Sequence, residues 1–328
     1  MKKEWSILVH LSMNMWKKQY TELKFDDEVW DYILDESVKC GINMIVLDVG
    51  DGIQFASHPE IAVKGAWTRS RVRKEVARCK KLGIELIPKL NFSATHDLWL
   101  GEYERMISTN TYYKVCADLI HEVYDLFDKP RYMHLGMDEE DAKHQRTYDF
   151  VSYRQGDLYW HDMRFLLDCV HDTGAKPWIW ACPLRVDTEA FRKHISSDEI
   201  LISPWYYLAI KEEHFTPIDC LPMYEEYYGA EDYAGMGLKF VEEDPDLVDF
   251  RETVLPQQGA YTYAPCVSVY NRCPYNTDDM VDFFKTNSPD NQIDRYMPAP
   301  WCATTKENKD FFTESFAYMK EAKEKYYG

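Results

Sequence analysis

Residues 131–141, Arg131-Tyr132-Met133-His134-Leu135-Gly136-Met137-Asp138-Glu139-Glu140-Asp141, run an apolar strand straight into four consecutive carboxylates. Tyr132, Met133, Leu135 and Met137 suit a buried strand, and Gly136 leaves room beside the backbone. Carboxylates this close raise one another's pKa, and partial burial raises it further, so that one stays protonated near neutrality. A protonated carboxyl beside an ionised one is the pairing that glycoside hydrolysis uses. The same run also reads as the solvated first turn of a helix, where acidic side chains favour the positive end of the dipole. Glu140 and Asp141 take that simpler reading.

Such a pair needs a frame, and the hydropathy pattern supplies one. Apolar runs of strand length fall at 6–11, 44–49, 85–90, 132–137, 177–181, 200–204, 261–269 and 295–300. Stretches with helical spacing lie between them at 26–40, 70–82, 111–127, 158–172, 187–195, 278–285 and 308–323. In the first, Val29, Ile33 and Val38 share a face; in the third, Val115, Leu119, Val123 and Leu126 do. Gly41, Gly83 and Gly174 each close a helix before the next strand. This alternation predicts a parallel sheet closed into an α/β (β/α)8 TIM barrel, a single domain over residues 1–328. Longer segments leave the strands than enter them, which puts the active face at the strands' carboxyl ends. The stretch 212–256, rich in Tyr, Glu and Asp, is expected to hold a weak helix at 244–253 and a lid or partner surface.

Composition narrows the function classes. The 328 residues are 45% hydrophobic and 29% charged, as in a soluble globular protein with a large core. A formal net charge of −18 argues against nucleic acid and anionic membranes as partners. No segment approaches the roughly 20 apolar residues of a membrane span, and no secretory core follows the first lysines. Nine cysteines without a Cys-x-x-Cys pair suggest reduced thiols in a cytoplasmic protein rather than disulfides or a zinc site. No cofactor or metal is expected. The 10 Trp and 24 Tyr suit sugar faces as well as core packing.

Five segments carry a resemblance. Asn43-Met44-Ile45-Val46-Leu47-Asp48-Val49-Gly50-Asp51 opens on Asn and closes on Asp, and Ser57-His58-Pro59-Glu60 and Gly65-Ala66-Trp67-Thr68 follow in its loop. Lys81-Leu82-Gly83-Ile84-Glu85-Leu86-Ile87-Pro88-Lys89-Leu90-Asn91 leads to His96, and His134-Leu135-Gly136-Met137-Asp138-Glu139 completes the set. Together they resemble strands two to four of glycoside hydrolase family 20, the β-N-acetylhexosaminidases, with their His-x-Gly-Gly-Asp-Glu signature. The resemblance implies an enzyme in which Glu139 is the general acid/base and Asp138 orients the substrate's 2-acetamido group. The acetamido oxygen attacks the anomeric carbon, so no enzyme nucleophile is required. It further implies substrate contacts from Asp51, Asn91, His96 and His134, walls from Trp180, Trp205 and Trp301, and a hydrogen bond from Tyr263. His96 and His134 also read as orienting residues, Asp51 as a turn cap, and Tyr261 or Tyr270 as the tyrosine if the register slips. The implied substrate is a terminal β-linked N-acetylhexosamine on a small oligosaccharide or glycoside.

Departures from the family pattern fall mostly on sugar-hydroxyl contacts. Met137 stands for the second Gly, Asn91 for an Asp, and Ala303 for a Glu. Ser6-Ile7-Leu8-Val9-His10 lacks the strand-one Arg, and His96 comes one residue late. Three other readings remain open at this point. The first is a glycosidase acting on a non-acetamido or modified sugar. The second is a metal-dependent sugar isomerase using His10, Asp48, His96, His134 and Asp138. The third is a sugar-binding barrel without turnover. The Tyr-rich stretch 212–237 would suit a homo-oligomer interface.

Overall fold

The computed structural model describes residues 3–16, 18–214, 250–252, 254, 260–270 and 273–328. Its strands are β1 (Glu4–His10), β2 (Met44–Asp48), β3 (Glu85–Lys89), β4 (Tyr132–His134), β5 (Lys176–Trp180), β6 (Leu201–Ser203), β7 (Thr262–Tyr263), β8 (Cys266–Val267) and β9 (Arg295–Pro298). The described helices are α1 (Asp27–Cys40), α2 (Arg69–Lys81), α3 (Asn110–Leu126), α4 (Gly156–Thr173), α5 (Cys182–Val186), α6 (Thr188–His194), α7 (Asn276–Asn287) and α8 (Lys309–Tyr327). Thr68 and Thr109 cap α2 and α3 by accepting from Arg71 and Tyr112 N–H, each at 3.2 Å.

The strands are all parallel in the order β7-β6-β5-β4-β3-β2-β1-β9-β8. The two ends of that order are halves of one strand, interrupted at Pro265, which has no N–H to give. Ala264 and Cys266 N–H bond to Ile202 and Pro204 on one side, while Asp294 and Met297 N–H bond to Tyr263 and Pro265 carbonyls on the other. The sheet is therefore closed, and the apolar run at 261–269 is its seventh stave.

Alternation along each strand sorts the core into two layers. Leu8, Met44, Val46, Ile87, Trp178, Trp180, Leu201, Ala264, Cys266, Met297 and Ala299 fill the barrel, and their odd-numbered or even-numbered neighbours pack outward against the helices. Each described cysteine carries a free thiol. Among the described residues no helix is long and apolar enough to cross a membrane. Of 212–256 only 212–214, 250–252 and 254 are described. The helix expected at 244–253 is described only at 250–252, which are helical, and the rest of that helix, the lid and the interface at 212–237 beyond 214 lie outside the described residues.

Candidate active site

Beyond β4 the backbone leaves the extended form at once. Gly136, Met137 and Glu139 have φ of 72°, 68° and 54°, a left-handed conformation that costs a non-glycine residue roughly 1–2 kcal/mol. The β3 loop holds it there. Asn91 Oδ1 accepts the N–H groups of Met137 at 3.2 Å and Ser93 at 3.1 Å, and Thr95 Oγ1 donates to the Glu139 carbonyl at 2.7 Å. Position 136 admits only glycine: a Cβ there would lie 2.0 Å from Asn91 Oδ1. Successive strand residues face opposite ways, and this turn is what lets Asp138 and Glu139 line one cavity.

The two carboxylates share a partner. His96 Nε2 lies 3.3 Å from Asp138 Oδ2 and 3.2 Å from Glu139 Oε2, while its Nδ1 meets the Met15 carbonyl at 3.2 Å. Burial opposes a charge on His96, but Asp138 and Glu139 outweigh it and raise the pKa to about 10. Burial likewise pushes the Asp138 carboxyl up, and His96, Lys89 and Asn91 more than reverse this, holding it well below the usual range. The Asn91 amide donates to Asp138 Oδ1 at 2.8 Å. Asp138 is thus an ionised acceptor, whereas Glu139 is the more exposed of the pair, its side chain 26% accessible against 14%.

Glu140 and Asp141 do not begin a helix. Glu140 accepts from Ala94 N–H at 2.9 Å and from Arg154 N and Nε at 2.9 and 2.7 Å. The Arg154 side chain is fully buried and also donates to the Phe92 carbonyl at 2.7 Å, tying this turn to the β3 loop. Asp141 instead accepts from His144 N–H at 2.8 Å.

A cavity of about 910 Å³ opens over the carboxyl ends of the strands, lined by these acids together with Trp180, Trp205, Tyr207, Tyr270 and Trp301. Trp180 and Trp301 stand 5.5 Å apart between centroids, and Trp205 stacks on Tyr207 at 5.0 Å. Underneath, strand register sets His10, Asp48, Lys89 and His134 side by side across β1 to β4. Lys89 Nζ donates to Asp48 Oδ2, and His10 Nδ1 approaches that same oxygen at 3.3 Å. Burial pushes the pKa of both His10 and His134 down, leaving both imidazoles neutral.

No family model matches the sequence, and no curated protein sequence does. Solved structures match it over nearly its whole length. The β-N-acetylhexosaminidase of Bacteroides fragilis superposes with a TM-score of 0.62 at 12% identity over 97% of this chain and 65% of its own. The GH20 β-N-acetylhexosaminidase of Streptomyces coelicolor A3(2) gives 0.61 at 12% over 97% and 64%. Dispersin B gives 0.58 at 14% identity, over 99% of this chain and 100% of its own. The fold is that of the family 20 glycoside hydrolase barrel. The chain spans less than two thirds of the two longer proteins and the whole of Dispersin B.

On this barrel the expected site residues divide into two groups. Asp138, Glu139, Asn91, His96, Trp180, Trp205 and Trp301 all line the cavity. Three others do not. Asp51 is buried against the β1 loop, where Ser12 Oγ and Asn14 Nδ2 donate to its two oxygens. His134 lies beneath the surface, its Nδ1 accepting the Gly136 N–H at 3.0 Å. Tyr263 pairs in register with Ile202, an outward position, and its ring rests 6.1 Å from Phe284 of α7. Tyr270, the alternative, is the tyrosine at the cavity. Lys89 and Arg154 were not expected. Lys89 shares strand parity with Ile87, an inward residue, and that was the available signal.

Proposed function

We propose that the chain is a family 20 glycoside hydrolase that removes a terminal β-linked N-acetylhexosamine with retention of configuration. The observation that carries this reading is the strained turn that aims Asp138 and Glu139 at one cavity while His96 spans them. Glu139 protonates the leaving oxygen. Asp138, kept ionised, accepts from the acetamido N–H and stabilises the positive charge that develops as the acetamido oxygen attacks the anomeric carbon. Trp180, Trp205 and Trp301 exclude water from the reacting ring. Glu139 then activates water to open the cyclic intermediate.

A metal reading draws on one observation. The donor atoms of His96, Asp138 and Glu139 all lie within 4.8 Å of one another, a spacing a divalent ion can span. The other residues of that reading, His10, Asp48 and His134, belong to the Lys89 row instead. Release of nitrophenol from β-linked nitrophenyl sugars with and without the acetamido group tests the proposal. Turnover confined to acetamido sugars, and lost in Glu139→Gln by about 10²–10⁴-fold, supports it. Equal turnover of plain glycosides, or a fully active variant, overturns it.

A further inference from the structure

Beneath the cavity runs a polar row whose hydrogen-bond donors the chemistry above does not use, although the charge of Lys89 helps to keep Asp138 ionised. Lys89 is fully buried yet lines the cavity, and among the described residues its ammonium donates only to Asp48 Oδ2. An ammonium has three N–H groups, so two face no described acceptor. Trp180 Nε1, a donor only, lines the same cavity without a partner among the described residues. The His134 ring sits 4.6 Å from Trp180. Because its Nδ1 accepts the Gly136 N–H, its proton is on Nε2, which likewise has no described partner. Buried donors left unpaired are costly, and binding sites are where such donors are kept for a ligand.

We infer that Lys89, paired with Asp48 and lining the same cavity as Trp180, anchors a ring hydroxyl of the terminal sugar and makes the site selective for a neutral sugar. The inference rests on the glycosidase reading above and adds the substrate class to it. A hydroxyl matches the row because its oxygen accepts from Lys89 or Trp180, both of which line the cavity. The row already balances one ammonium against one carboxylate, with both imidazoles neutral. A carboxylate or sulfate on the sugar would therefore bring an uncompensated charge into a buried layer. The strand-three lysine takes this role on a barrel whose first strand ends in His10 and whose last strand is followed by Trp301-Cys302-Ala303, with no charged side chain at either place.

The test compares nitrophenyl β-N-acetylglucosaminide with its 3-, 4- and 6-deoxy forms and its 6-sulfate. In the wild type, one deoxy sugar is expected to lose about 10- to 100-fold in kcat/KM, and the sulfate to lose at least as much. Lys89→Met alone would strand the Asp48 charge, so the charge-balanced pair Lys89→Met with Asp48→Asn is used. It is expected to turn over the parent and that deoxy sugar equally. A variant that is slower on every sugar but keeps the wild-type discrimination assigns the row a structural role and overturns the inference. So does a sulfated sugar turned over as well as the neutral one. If no sugar is turned over, the glycosidase reading fails, and calorimetry with free N-acetylglucosamine and its deoxy forms decides the floor separately. Binding with the same deoxy penalty upholds Lys89 as the anchor, and no binding overturns it.

Discussion

Asn91→Asp is the most informative single change at this site. The Asn91 amide nitrogen lies 2.8 Å from Asp138 Oδ1 as a donor, while its oxygen serves Met137 and Ser93. The substitution keeps the accepting oxygen and sets a second carboxylate oxygen against Asp138. Two unit charges at that distance repel by about 6 kcal/mol at an effective dielectric of about 20. The pair escapes by taking up a proton, which then restores a hydrogen bond between them. Starting from an unfolded pKa of about 3.9, proton uptake at pH 7 limits the loss to roughly 4 kcal/mol. The sign follows from linkage. The new carboxyl has a folded pKa above its unfolded one, so the folded state binds the extra proton. The deficit is absent below about pH 4 and grows by about 1.4 kcal/mol per pH unit until the raised folded pKa is passed. Urea unfolding of wild type and variant between pH 4 and pH 8 measures it. A stability difference that stays flat across that range would refute the assignment of the Asn91 amide as the donor to Asp138.

Three further outcomes are expected. Gly136→Ala combines a left-handed alanine with a Cβ 2.0 Å from Asn91 Oδ1, and urea unfolding should show a loss of about 2–5 kcal/mol. The His96 interaction contributes fully below its unfolded pKa near 6.5, and wild-type stability should fall as pH rises toward about 10, where the proton leaves the folded state. In His96→Asn, unfolding curves between pH 7 and pH 9.5 should show a much smaller fall. A chelator should leave turnover unchanged, whereas added zinc, held by His96, Asp138 and Glu139, should inhibit it by occupying the acid; turnover that requires added metal would favour the metal reading.

The staves of the barrel were legible because strands buried on both faces read as continuous apolar runs, 44–49 and 85–90 being clear cases. So was the strand-end turn, since two adjacent carboxylates can share a cavity only where the backbone bends. Other parts depended on distant partners. Glu140 reads locally as a helix start, and its role follows from Arg154, fourteen positions on and folded back beneath the turn. Asp51 sits where a substrate contact was expected, but Ser12 and Asn14 of the β1 loop take both its oxygens. Tyr263 misses the cavity by one residue of register, the smallest error that reverses a strand's faces. Lys89 reads in sequence as a polar strand end, and only the register beside Asp48 shows it as half of a buried pair.

The configuration of the first-formed sugar tests the central claim most directly. Proton NMR of the opening minutes of hydrolysis of a β-N-acetylhexosaminide separates the two anomers before they interconvert. Attack by the acetamido oxygen followed by water makes the β-anomer appear first. An α-anomer appearing first would mean that water attacks directly, and would contradict the roles given to Asp138 and Glu139.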